Sequence, residues 1–172
     1  MSSSTPDASI LAHASAAVLT VSDSCSRGAK VDLSGPAVAE ALGKRNFQIV
    51  ERSVVADERA AIQEKLIQLC NSARLVVTTG GTGIAPRDVT PEATRAVSER
   101  IVEGIAERMR SEGARKTRFA ALSRAVCGVR GTSLILNLPG SPTGAVESLE
   151  AVMDLLPHAL ELIAGKTEHK SR

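Results

Sequence analysis

Aromatic residues are almost missing from these 172 residues: there are two Phe, no Tyr and no Trp. That excludes a stacking platform for exposed bases and leaves the core to Ala, Val, Leu and Ile. Cysteine is scarce as well. Cys25, Cys70 and Cys127 are odd in number, far apart and without a C-x-x-C pair. A disulfide framework and a structural zinc site are therefore disfavoured, and a reducing, cytoplasmic location is expected. No sign of charge dominates, since 21 Lys and Arg face 19 Asp and Glu for a net charge of +2. Neither a nucleic-acid partner nor a membrane surface follows from so even a balance. The N-terminal segment has only the short apolar run Ile10-Leu11-Ala12, too short for a signal peptide or a span. Histidine offers no catalytic case: His13 and His169 fall in expected tails, and His158 on the last expected helix.

What is present is ordinary globular material, 43% apolar and 23% charged, in a length that suits one domain. Residues 1–15 read as a flexible tail, 16–165 as a single folded domain and 166–172 as a second tail. Within the domain an apolar β-type run is followed by a polar loop and then a helical pattern, repeatedly. The runs are Ala17–Val21, Phe47–Val55, Leu75–Thr79 and Leu134–Leu138. The second alternates at its start, as an outer strand does, whereas the third is continuous and β-branched, as a strand covered on both faces is. Helices are expected from about Gly35 to Lys44 with Ser34 as N-cap, through Ala61–Cys70 with Asp57 as N-cap, from near Pro91, and over Ile101–Ser111. A last helical stretch, Gly144–Ala164, holds Pro157, which should kink or split it. The alternation implies an α/β protein: three layers, α/β/α, around a central, mostly parallel sheet.

Ligands of such sheets bind beyond the carboxyl ends of the strands. Three polar, Gly-bearing loops lie there: 22–34, 80–90 and 139–143. Gly80-Gly81-Thr82-Gly83 reads either as a tight turn or as an N–H nest for a phosphate-type anion; it is neither a Walker A sequence nor G-x-G-x-x-G. Arg87-Asp88-Val89-Thr90-Pro91-Glu92 suits a helix start. A carboxylate beside phosphates, however, asks for a divalent cation between them, and Mg²⁺ takes one or two carboxylates plus phosphate oxygens. Asp57 is the natural second acid. Ser22-Asp23 can be a strand-end turn or a ligand edge. Ser123, Arg124 and Arg130 are possible anion contacts, and Pro139-Gly140-Ser141 a pocket wall. Cys25 has no His or Asn partner that would make it a nucleophile and reads as structural.

Taken in order, Thr20-Val21-Ser22-Asp23, Asp32-Leu33-Ser34-Gly35, Thr78-Thr79-Gly80-Gly81-Thr82-Gly83, Arg87-Asp88-Val89-Thr90-Pro91-Glu92-Ala93, Leu122-Ser123-Arg124 and Leu138-Pro139-Gly140 resemble the molybdenum cofactor biosynthesis proteins of the MogA/MoaB type, which include the G domain of gephyrin. The resemblance runs from about Ala16 to Ala164. It implies the molybdopterin-binding α/β fold, a homotrimer, and molybdopterin adenylyltransferase activity: ATP and molybdopterin give adenylyl-molybdopterin and pyrophosphate, with Mg²⁺. By the same resemblance Asp57 and Asp88 are the catalytic and metal-holding acids. Thr79, Gly80, Gly81, Thr82 and Gly83 bind the nucleotide. Ser22, Asp23, Ser123, Arg124, Pro139, Gly140 and Ser141 bind molybdopterin. It also implies hand-over of the product to a molybdenum insertion protein, and leaves a non-catalytic molybdopterin-binding or scaffold trimer of the MoaB kind as the alternative. The chain departs from the pattern at Val102-Glu103-Gly104, where a Pro-Gly pair is common, and at Ala56, where a Pro usually precedes the acid.

Overall fold

The structure is a computed structural model and describes residues 14–166. Most of both expected tails, and with them His13 and His169, lies outside the described residues. The chain order is β1 (Ser15–Val21), α1 (Asp23–Ser26), α2 (Ser34–Gly43), β2 (Gln48–Val55), α3 (Arg59–Cys70), β3 (Leu75–Thr79), α4 (Thr90–Val97), β4 (Arg100–Ile101), α5 (Glu103–Ala114), a 3₁₀ turn (Arg118–Leu122), β5 (Cys127–Arg130), β6 (Ser133–Leu138), α6 (Pro142–Glu150) and α7 (Leu156–Ile163). One six-stranded sheet has the order β2-β1-β3-β6-β5-β4. The β1–β2, β1–β3 and β3–β6 pairings are parallel; β5–β6 and β4–β5 are antiparallel.

The strands sort their side chains by the period of two. Ala16 and Val18 of β1, with Val77 and Leu136, pack against Val38 and Leu42 of α2, Met109 of α5, Leu149 of α6 and Leu156 of α7. Ala17, Leu19 and Val21, with Val76 and Ile135, pack against Ile62, Leu66 and Leu69 of α3 and Ala93 and Val97 of α4. The result is the three-layer architecture. β1, β3 and β6 are buried almost throughout, while β2 alternates exposed and half-buried positions as an edge strand does.

Several local expectations are corrected. Ser34 is not the N-cap of α2: it lies inside the first turn, and Asp32 supplies the cap by accepting from the Gly35 N–H (3.0 Å) while also accepting from the Thr20 hydroxyl (2.7 Å). Asp57 is not the N-cap of α3; that position is Glu58, which makes no side-chain cap bond. The helix expected from Ile101 begins at Glu103, because Arg100–Ile101 pair with Gly128–Val129 as a short edge strand. The C-terminal helix is split, as the proline requires: α6 ends at Glu150, and Pro157 sits in the first turn of α7, where its missing N–H costs nothing.

Candidate active site

β1 turns towards β2 on one side and β3 on the other, so the carboxyl ends of β1 and β3 open a crevice at the point where the strand order reverses. Glycine lets the chain ends meet there. Gly80 has φ +102°, and a Cβ on it would stand 2.3 Å from the Val21 carbonyl oxygen. Gly140, at the end of β6, would place a Cβ 3.4 Å from the Gly80 Cα. The next residue, Gly81, also has positive φ (+68°). The turn is locked by Thr90, whose hydroxyl donates to the Gly80 carbonyl (2.9 Å) and whose N–H donates to the Gly81 carbonyl (3.1 Å). Among the described residues no acceptor takes the N–H groups of Gly81, Thr82 or Gly83. The Gly80 amide, by contrast, donates to the Leu138 carbonyl (3.1 Å), and Thr79 is buried with its hydroxyl on the Pro139 carbonyl (2.7 Å). Of the five residues expected to hold the nucleotide, Thr79 and Gly80 thus join strands, while Gly81, Thr82 and Gly83 present donors.

The two expected acids stand on either side of this loop. A Cβ on Gly81 would lie 3.2 Å from Asp57 Oδ1, and one on Gly83 would lie 2.8 Å from Asp88 Oδ2. Asp57 and Asp23 grip each other across the ends of β2 and β1: the Asp23 N–H donates to Asp57 Oδ2 (2.8 Å) and the Asp57 N–H to Asp23 Oδ1 (3.0 Å). Arg87 donates to both oxygens of Asp23 (2.6 and 3.0 Å) and to Glu58 (2.8 Å). Burial pushes the Asp57 carboxyl above the usual range, and repulsion from Asp23 and Asp88 adds to the rise. The hydrogen bond from Arg87 holds Asp23 below that range, against its own burial. Asp57 therefore carries negative charge that its surroundings do not fully compensate. The described residues hold no group of three or more metal-ligating side chains. Two carboxylates beside free amides do fit Mg²⁺, which completes its shell with phosphate oxygens and water.

A cavity of about 760 Å³ opens beside the loop. Gly81, Thr82, Gly83, Asp88, Ser123, Pro139, Gly140 and Ser141 all line it, so residues from three separate stretches converge. Ser22, Asp23 and Asp57 stand outside that lining, as does Arg124. Ser22 caps α1 by accepting from the Cys25 N–H (3.2 Å). Each nitrogen of the Arg124 guanidinium donates to the protein, to the Gly83 carbonyl, the Asp88 carbonyl and Glu92. Arg130 donates to the Val97 carbonyl (2.9 Å) and contacts no part of the site.

Sequence reasoning missed Asn137. Buried in β6 and facing the cavity, it donates to the Thr78 and Thr94 hydroxyls (3.0 and 2.9 Å) and accepts from the Val126 N–H (3.1 Å). A lone Asn inside Leu134–Leu138 was the available signal. The far wall, including Arg110, Lys116 and Phe119, had none.

A glycine-rich loop of free amides entering a helix, with an acid upon it, at the carboxyl edge of parallel strands and next to a cavity, defines an α/β domain for an anionic small molecule. The family described as a probable molybdopterin binding domain matches residues 17–158. The chain is 45% identical over 152 residues to the molybdopterin adenylyltransferase of Helicobacter pylori J99, covering 86% of each. It is 38% identical over 165 residues to that of Escherichia coli K12, covering 86% of this chain and 84% of the relative. The crystal structure of the molybdopterin biosynthesis enzyme MoaB from Thermus thermophilus superposes with TM-score 0.83 at 51% identity, over 88% of this chain and 97% of that one. The chain belongs to the molybdopterin-binding family of molybdenum cofactor biosynthesis.

Proposed function

We propose that this chain is a molybdopterin adenylyltransferase. The observation that carries the reading is the convergence of Asp88, the Gly81–Gly83 amides, Ser123 and the Pro139–Ser141 turn on one cavity. In the reaction an oxygen of the molybdopterin phosphate attacks the α-phosphorus of ATP. The bond from that phosphorus to the oxygen bridging to the β-phosphate breaks, and pyrophosphate leaves with the electron pair. The nucleophile is an ionised phosphate, so no side chain need remove a proton. Positioning and charge neutralisation do the catalysis. The loop amides grip phosphate oxygens, and the cavity with Ser123, Pro139, Gly140 and Ser141 takes the pterin. Asp57 and Asp88 would hold Mg²⁺, which, when bound, neutralises the charge between carboxylates and phosphates.

Residues 16–165 act as one molybdopterin-binding domain. The chain works in the cytoplasm as a homotrimer and passes its product to a molybdenum insertion protein. Three free thiols among the described residues support a reducing location. The exposure of Val31, Leu33, Ile84 and Phe119 supports association.

The test is product formation from ATP, Mg²⁺ and molybdopterin, read as pyrophosphate release. Asp88→Asn and Asp57→Ala are each expected to lower it by at least about 100-fold with far-UV circular dichroism and native mass unchanged. Wild-type turnover in both variants would refute the roles given to the acids. Molybdopterin binding by the wild type without pyrophosphate release would leave it the binding or scaffold trimer.

A further inference from the structure

Arg124 follows the 3₁₀ turn, and its neighbours Ser123, Leu122 and Phe119 line the cavity. Its own contacts all reach across to the opposite wall. The backbone N–H donates to the Thr82 carbonyl (2.8 Å), Nε to the Gly83 carbonyl (2.7 Å), Nη2 to the Asp88 carbonyl (2.6 Å) and Nη1 to the Glu92 carboxylate. These acceptors run from Thr82, inside the glycine-rich loop, to the first turn of α4. Asp88 is closed locally as well: its N–H donates to the Ala85 carbonyl (2.9 Å), and the Ala85 N–H donates to Asp88 Oδ2 (3.0 Å). One residue thus pins the Asp88 backbone while Ala85 sets its carboxylate. Burial pushes the Glu92 carboxyl up, but the hydrogen bond and charge of Arg124, together with a backbone hydrogen bond and the charge of Arg59, hold the group below the usual range. The other oxygen of Glu92 is buried and, among the described residues, has no hydrogen-bond partner, so Arg124 supplies the side-chain hydrogen bond to that carboxylate.

We propose that Arg124, anchored by Glu92, is a positioning residue that holds the Asp88 carboxylate in place over the cavity. The proposal rests on the transferase reading above. It departs from the expectation that Arg124 binds molybdopterin, because each guanidinium nitrogen already donates to the protein, two to loop carbonyls and one to Glu92. A planar fork suits these divergent acceptors. The point charge of a lysine does not.

The experiment compares wild type, Arg124→Ala, Arg124→Lys and Glu92→Gln, with kcat and KM measured separately for both substrates, and follows amide hydrogen exchange at Ala85 and Asp88. Arg124→Ala and Arg124→Lys are expected to lower kcat about 100-fold, as displacement of a catalytic group by an ångström does. The KM for ATP should move less than about threefold, and protection of both amides should be lost. Glu92→Gln keeps an acceptor and should lose less, and it carries the test if Arg124→Ala fails to fold. Wild-type kcat in a folded Arg124 variant overturns the proposal. So does a KM for molybdopterin that rises at constant kcat, which would make Arg124 a substrate ligand. Absence of turnover in the wild type is a separate result: it overturns the transferase reading itself, before any variant is read.

Discussion

Asp57 shows how a single carboxylate can be held in the fold at a cost to stability. Its pKa is raised above the ordinary 3.8 by burial and by Asp23 and Asp88. Between 3.8 and the raised value the folded state therefore binds more protons than the unfolded one, and stability falls as pH rises through that window. Above the window the penalty persists in full. Asp23 has the opposite sign, since Arg87 lowers its pKa and the stabilisation is lost as pH falls from the ordinary 3.8 through that lowered value. Asp57→Asn retains an acceptor for the Asp23 N–H and removes the charge. The ligand-free variant is expected to melt at a higher temperature than wild type at about pH 7, and the gap should narrow as pH approaches 3.8. Thermal denaturation across that range checks it, and an equal or lower melting temperature at neutral pH would contradict the uncompensated charge.

At the scale of elements, the glycines of the strand ends decide how close β1, β3 and β6 can come. Gly80→Ala meets a backbone carbonyl 2.3 Å away and a φ of +102°. It is expected to cost about 1–3 kcal/mol from backbone strain, with the clash added, and to lower turnover by parting the strand ends. Gly28→Ala has a comparable φ of +71° but open space around it. It should cost only about 1 kcal/mol and leave turnover intact, and urea midpoints of the pair separate strain from clash. Element positions were legible where burial was uniform: Leu75–Thr79 and Leu134–Leu138 are the buried strands their β-branched and aliphatic runs suggest. Caps were not. Ser34 and Asp57 have the right chemistry beside helix starts, but Asp32 is folded back onto Thr20 and Gly35, and Asp57 is drawn to the Asp23 amide. Those partners are set by loop paths, not by spacing. Ile101 reads as the start of a helix because only its pairing with β5 makes it a strand.

The whole molecule depends on a sheet clamped between two helical layers built almost wholly of aliphatic side chains, with Phe47 the buried aromatic among the described residues. Leu136 lies fully buried in β6 between β3 and β5. Leu136→Ala is expected to destabilise by about 2–5 kcal/mol, measured by urea unfolding, with kcat of the folded fraction near that of wild type. Equal stability would mean that the core collapses around the missing methyls. By itself the sequence determined the alternation of strand and helix, hence the layers, because hydrophobic periodicity is a local property of the chain. It also marked Asp57, Asp88 and the glycine loop, through the ordered motifs that carry the family resemblance and not through residue type alone, since Gly and Asp are ordinary turn residues. Only the tertiary structure decided which of these face the cavity, that Arg124 and Thr79 hydrogen-bond to the protein, and that Asn137 ties β6 to β3, to α4 and to Val126 just ahead of β5. Hydrogen bonds between residues far apart in the chain depend on where the backbone returns, and no local pattern records that.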